Sequence, residues 1–182
     1  MYEIRLHGLG GQGVVTMTDA LALACFYGGW QVQAFPYFGP ERTGAPVTGF
    51  IRLDRQPIKL KQQIYSPDLI IVLDEALLLK TIDLAAGAKT HSRLLINTAR
   101  DAAAVSAATK LPVKAISLCQ PPADLGKAVN MFILGQAAKK YNLAGLADCV
   151  RAVKAKLADK EQKIIAANLA ALTTGYEQAT VA

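Results

Sequence analysis

Five consecutive large apolar residues, Leu69-Ile70-Ile71-Val72-Leu73, follow Pro67-Asp68 in this 182-residue sequence. Successive residues of a strand point to opposite faces, so a strand of this composition hides both faces from water. A parallel strand with helices above and below it meets that condition. The surrounding sequence should then alternate strands with helices, and it does. Residues 3–7 alternate as a short strand and run into Gly8-Leu9-Gly10-Gly11-Gln12-Gly13. From Val14 to Tyr27, Met17, Leu21, Ala24 and Cys25 are spaced for one buried helical face. Gly28-Gly29 stops that helix, and Trp30 to Phe35 reads as a second strand, giving a βαβ unit that crosses over right-handed.

The segment PYFGPERTGAP, residues 36–46, holds too many prolines and glycines for a helix or a central strand. Strand signal returns at Val47 to Leu53, Arg93 to Ile96 and Val113 to Ser117, with an alanine-rich helix near Asp101 to Thr109. From about Pro121 the pattern is helical. Asn130 to Lys140 is one helix, and Leu146, Cys149, Val150, Val153 and Leu157 form an apolar stripe on a second. Lys160 to Leu172 is a third, with Ile165, Leu169 and Leu172 on one side. No linker, repeat or low-complexity segment interrupts the chain. The expected fold is a single α/β domain over residues 1–182. Its sheet is Rossmann-like, doubly wound and mostly parallel, and its C-terminal third is helical.

Several function classes fall away on composition. At 52 % hydrophobic and 19 % charged residues the chain is globular rather than disordered. No apolar run approaches the roughly 18 residues of a membrane span. The N-terminus lacks a signal peptide's cleavage site, so a cytoplasmic location is expected. Cys25, Cys119 and Cys149 are far apart, and His7 and His91 lack partners at metal-ligand spacing, so no cluster or zinc site is expected in this chain alone. The absence of a Gly-x-Ser-x-Gly elbow argues against a hydrolase triad. Residues 1–90 hold eight basic and eight acidic side chains and residues 91–182 hold twelve and six, so the net charge of +6 lies in the second half. Without basic runs or aromatics interleaved among the lysines, nucleic acid is not the expected partner. A solvated helix face accounts for such charges, with an acidic subunit or a phosphorylated ligand as the next reading.

Gly8, Gly10 and Gly13 satisfy Gly-x-Gly-x-x-Gly in the right context, after a strand and opening a helix. Glycines let backbone N–H groups approach an anion, and a helix N-terminus adds positive partial charge. A dinucleotide also needs an acidic residue near the end of the second strand, where this chain reads Val32-Gln33-Ala34-Phe35-Pro36. That weighs against NAD. On the residues alone, ligand binding and a purely structural tight turn stand level. His7, at the carboxyl end of the first strand, is expected to be a hydrogen-bonded structural histidine.

A longer pattern is more specific. Gly8-Leu9-Gly10-Gly11-Gln12-Gly13-Val14-Val15-Thr16 is followed by Phe38-Gly39-Pro40-Glu41-Arg42-Thr43-Gly44-Ala45-Pro46-Val47. Ser66-Pro67-Asp68, Ile96-Asn97-Thr98, Asn130-Met131 through Gly135, and Asn168 through Gly175-Tyr176-Glu177 continue it over nearly the whole chain. This combination resembles the gamma subunit, or the equivalent fused domain, of the 2-oxoacid:ferredoxin oxidoreductases, with segment 38–47 closer to the pyruvate and 2-ketoisovalerate type. A departure is Thr43, where a second arginine is common in the family.

The resemblance implies a role in CoA-dependent oxidative decarboxylation of pyruvate or a related 2-oxoacid to acyl-CoA and CO2, with ferredoxin reduced. Thiamine diphosphate and the iron–sulfur clusters would then belong to partner subunits, alpha- and beta-type thiamine-bearing chains and a ferredoxin-like one. This chain would hold no catalytic residue and would be inactive alone. Candidate ligand-binding residues are Gly8, Gly10, Gly11, Gln12 and Gly13, then Glu41 and Arg42 in the proline-bounded loop, then Asn130. For Asn130 a helix cap is the more common use, and for Glu41 and Arg42 a solvated ion pair. Two readings from other classes compete: a free-standing nucleotide-binding module, disfavoured by the missing acid, and a purely structural subunit.

Overall fold

The computed structural model describes residues 1–38, 44–80 and 82–181. Strands β1 (Tyr2–Leu9), β2 (Gln31–Phe38), β3 (Pro46–Asp54), β4 (Leu69–Val72), β5 (Arg93–Asn97) and β6 (Ile116–Cys119) form one sheet in the order β2-β3-β1-β4-β5-β6. The pairs β1–β4, β4–β5 and β5–β6 are parallel, while β3 is antiparallel to both β1 and β2. The fold is thus α/β with a mixed sheet. The expected βαβ unit is corrected in one respect. Helix α1 (Val14–Tyr27) does link β1 to β2, but β3 inserts between those strands. Strand β2 also runs past Phe35 to Phe38 and includes Pro36. At the sheet edge a missing N–H costs no ladder bond, so a proline is tolerated there.

Helices α2 (Ala102–Thr109), α3 (Val129–Lys140), α4 (Leu146–Lys156) and α5 (Gln162–Gln178) follow, so helix is concentrated toward the C-terminal third. Asp101 caps α2, accepting from the Ala104 amide at 2.7 Å. Short 3-10 segments at Glu75–Leu79, Val113–Ala115 and Ala123–Ala128 join the elements. The strand signal read at Val113 is such a segment, with β6 beginning at Ile116. Helix α5 continues six residues beyond Leu172, to Gln178.

The apolar run of β4 divides between two cores as its alternation requires. Leu69 and Ile71 join Ile4, Leu6, Ile51 and Leu53 under α1, α3, α4 and α5. Ile70 and Val72 join Leu94, Ile96, Leu77, Val105 and Leu111 on the opposite face. Within the larger core, α3 and α5 touch through backbone. A Cβ on Gly135 would overlap the Leu172 carbonyl oxygen, and one on Gly175 would overlap that of Phe132. Those two glycines therefore set the distance between the helices.

The second face is different beside β1 and β3. There the alternate positions carry Arg5, His7 and Arg52, all under 9 % exposed, and irregular chain from segments 55–66 and 82–88 covers them. Arg5 donates to the carbonyl oxygens of Leu84 and Ala86 at 2.9 Å, and Arg52 donates to Glu3 and Gln33 at 2.9 Å and to the Gln63 carbonyl oxygen at 3.1 Å.

Candidate functional site

Open α/β sheets collect ligands beyond the carboxyl ends of their strands, at the point where the strand order changes direction. In this chain that point lies between β1 and β4, and a cleft of about 500 Å³ opens there. Gly11, Gln12 and Gly13 come from the turn after β1, Leu73 and Asp74 from the end of β4, and Asn97 from the end of β5. Gly126, Lys127, Val129 and Asn130 from the entry to α3 complete it. The volume lies in the range of small-molecule sites.

The glycine turn is built from three different uses of glycine. Gly8 sits inside β1, where a Cβ would overlap Val14 Cγ2, so its absence lets α1 pack close to the strand. Gly10 donates its N–H to the Ala45 carbonyl oxygen at 2.8 Å, fastening the turn to the chain that enters β3. Gly11 and Gly13 have φ of +94° and +76°, in the region that disfavours side chains. A side chain at Gly11 would otherwise meet open space, whereas one at Gly13 would overlap Asn130 Nδ2. Gly8 and Gly10 thus serve packing and turn geometry, and Gly11 and Gly13 face the cleft.

Gln12 locks the turn. Its Oε1 accepts from the Leu9 amide at 2.7 Å, and its Nε2 donates to Asp74 Oδ2 at 2.5 Å. The other oxygen of Asp74 accepts from the Ala76 amide at 2.8 Å, capping the 3-10 segment after β4. Asn97 donates to the Leu73 carbonyl oxygen at 2.9 Å, so the ends of β4 and β5 are held together as well.

Asn130 does not cap its helix. The N-cap of α3 is Ala128, and Asn130 lies inside the first turn. Its side chain reaches back across the cleft and donates from Nδ2 to the Gly13 carbonyl oxygen at 3.3 Å, while its Oδ1 has no donor. Neither α1 nor α3 carries a side-chain cap at its N-terminus, and both begin at this cleft. The first amides of a helix lack intrahelical acceptors and favour negative charge nearby. Lys127 is exposed at the rim.

Of the residues singled out from sequence, the structure brings Gly11, Gln12, Gly13 and Asn130 to one cleft. Glu41 and Arg42 lie outside the described residues. Asp74 and Lys127 were not anticipated. A single acid after a strand and a single lysine in a turn carry no pattern of their own. His7 is buried, and its Nε2 accepts from Arg5 Nε at 3.0 Å. Burial and the neighbouring guanidinium lower its pKa to about 3, so it is a neutral structural acceptor, as expected.

Comparison with known proteins identifies the family. Residues 3–178 match the family described as pyruvate ferredoxin/flavodoxin oxidoreductase. The common gamma subunit of the pyruvate/ketoisovalerate oxidoreductases of Pyrococcus abyssi is 43 % identical over 159 residues, 85 % of each chain. Pyruvate synthase subunit PorC of Methanosarcina barkeri is 40 % identical over 157 residues, covering 84 % of this chain and 86 % of that one. The crystal structure of pyruvate oxidoreductase subunit PORC from Thermotoga maritima superposes with a TM-score of 0.80 at 30 % identity, over 97 % of this chain and 95 % of that one. The chain also superposes on 32 % of a 2-oxoglutarate:ferredoxin oxidoreductase chain from Magnetococcus marinus, at 20 % identity and a TM-score of 0.75, which shows the shared fold. The chain belongs to the pyruvate ferredoxin/flavodoxin oxidoreductase family, among its gamma-type subunits.

Proposed function

We propose that this chain forms one wall of the CoA site of a 2-oxoacid:ferredoxin oxidoreductase and docks against the subunits that carry the redox groups. The observation that carries the reading is the cleft itself, where a glycine turn and two helix N-termini without side-chain caps converge at the carboxyl ends of β1, β4 and β5. CoA brings a pyrophosphate and a 3′-phosphate, and backbone amides at helix N-termini and cationic side chains are the groups that hold such charges. Lys127 is at the rim. The Magnetococcus marinus relative holds 2-oxoglutarate, coenzyme A and succinyl-CoA, which supports a CoA site in enzymes of this fold.

An iron–sulfur cluster finds no ligand set among this chain's described residues, and the family likeness implies that thiamine diphosphate belongs to other chains. The chain's three cysteines are free and buried. Among the described residues no three His, Cys, Asp or Glu side chains gather as a metal site. The proposal therefore assigns those groups to alpha- and beta-type and ferredoxin-like partners, with ferredoxin as the acceptor of the assembled enzyme. The names of the pyruvate/ketoisovalerate and PorC relatives support pyruvate or a branched 2-oxoacid as substrate. Among the described residues no helix is long and apolar enough to cross a membrane, consistent with the cytoplasmic location we propose.

Two assays test the reading. The purified chain given pyruvate and CoA should reduce no viologen dye, and activity should appear when the partner subunits are added. In that assembled enzyme Arg42→Ala should raise the KM for CoA about ten- to a hundredfold, the usual consequence of losing a charge-assisted contact, with the KM for the 2-oxoacid unchanged. Activity of the lone chain would end the subunit reading, and unaltered CoA kinetics in an assembled variant with both Arg42 and Lys127 replaced by alanine would leave a structural clamp as the better account.

A further inference from the structure

The glycine turn favours an anion, yet two side chains that line the cleft, Asn130 and Asp74, bring acceptors. Asn130 is 7 % exposed, and its Oδ1 is buried without a hydrogen-bond donor. The amide is not free to reverse, because Nδ2 lies 3.3 Å from the Gly13 carbonyl oxygen and an oxygen in its place would oppose another acceptor. Asp74 adds a carboxylate to the same cleft, with its two oxygens engaged by Gln12 Nε2 and the Ala76 amide. A phosphate group brought to this floor would meet an unpaired carbonyl-type oxygen and an anion. A buried acceptor without a partner is rare and unfavourable, and something that occupies the cleft is the natural source of its missing donor.

We propose that the floor of the cleft binds an N–H group of the ligand, with Asn130 Oδ1 as its acceptor, so that the ligand's phosphates lie outward toward Lys127. The inference rests on the CoA reading and gives that ligand a direction. Oδ1 is buried, so meeting such a donor takes a turn about the asparagine's terminal torsion, which is soft. In CoA the donor has two sources, the 6-amino group of adenine and the amide N–H groups of the pantetheine arm.

The test is steady-state kinetics of the assembled enzyme with three thiol substrates. They are CoA, an analogue whose purine lacks the 6-amino group, and an analogue with ester oxygens in place of the pantetheine amide N–H groups. Wild-type enzyme should discriminate against one analogue by about tenfold in KM, the first if adenine supplies the donor and the second if the arm does. Asn130→Ala should raise the KM for CoA by the same factor and abolish the discrimination. Wild-type enzyme that accepts all three substrates equally overturns the proposal without reference to any variant, which covers an Asn130→Ala subunit that fails to assemble. Discrimination that persists undiminished in Asn130→Ala overturns it as well. The CoA reading fails separately, if Asn130→Ala and Lys127→Ala both assemble and both leave the KM for CoA unchanged.

Discussion

The helical face of the sheet and the part of the opposite face beside β1 and β3 are closed by different means. Under α1, α3, α4 and α5 the sheet presents Ile4, Leu6, Ile51, Leu53, Leu69 and Ile71, all buried. Beside β1 and β3 on the other face it presents Arg5, His7 and Arg52. The covering chain explains the contrast. A helix satisfies its own backbone, so it needs only apolar contact from the sheet. The irregular segments 55–66 and 82–88 leave carbonyl oxygens facing inward, and a buried carbonyl requires a donor. Two guanidinium groups supply donors to Ile64, Leu84, Ala86 and Gln63, each bringing up to five N–H groups on one side chain. The helical face is thus held by packing and the opposite face beside β1 and β3 by directed hydrogen bonds. Beyond them, over β4 and β5, that face is packed by a second apolar core.

If that distinction is right, the faces should fail differently. The largest effect is expected on the polar face. Arg52→Met should cost about 3–5 kcal/mol in urea unfolding, because it strands Glu3 and the Gln63 carbonyl oxygen in the interior. A loss below about 1 kcal/mol would mean that water reaches these groups, and would break the comparison. On the helical face, Gly175→Ala should cost about 1–3 kcal/mol by forcing α5 away from the Phe132 carbonyl oxygen. Its signature is overpacking against backbone, so a larger residue at position 175 should cost more than alanine does.

A gentler probe is pH. Folding lowers the pKa of His7 to about 3, so between that value and its unfolded value near 6.5 the unfolded chain binds the extra proton. Stability should be full at pH 7 and fall as the solution is acidified through that window, by up to about 1.4 kcal/mol per unit. His7→Gln, which keeps an acceptor for Arg5, should flatten the slope between pH 6 and about 4. Asp68 acts in a lower window. Burial opposes its ionised form, but hydrogen bonds from Lys89, the Glu3 amide and His91 outweigh that and hold it below the ordinary carboxylate range. Its contribution is lost only as the pH falls below about 4.

The same contrast explains what was legible in the sequence. Helix α1 was legible to its end residues and α4 nearly so, because an apolar stripe at period 3.6 reports helix and buried face together, and α3 was bounded nearly as well although it is buried on most sides. The β4 run reported a strand covered on both sides for a similar reason. The buried arginines were not legible. In Glu3-Ile4-Arg5-Leu6-His7 the alternation fits a strand with one wet face, and nothing local says that segments 55–66 and 82–88 will cover it. Nor does a strand's composition say which way it runs, so the antiparallel insertion of β3 beside β1 was invisible although its residues were read as strand. At the cleft, Gly11 and Gly13 were visible as glycines at a strand–helix junction, but the Gly13–Asn130 contact joins residues 117 apart.

The central claim is that the glycine turn is a wall of the CoA cleft rather than a subunit contact, and Gly11→Val tests it most directly. The residue combines a φ of +94° with open space ahead of its missing side chain, so valine both strains the turn and projects into the cleft. The expected result is an oxidoreductase that assembles to the wild-type size by sedimentation, with the KM for CoA raised about tenfold or more and the KM for the 2-oxoacid unchanged. A variant chain that no longer joins its partners would place the turn at an interface, and one that assembles with wild-type CoA kinetics would remove it from the site.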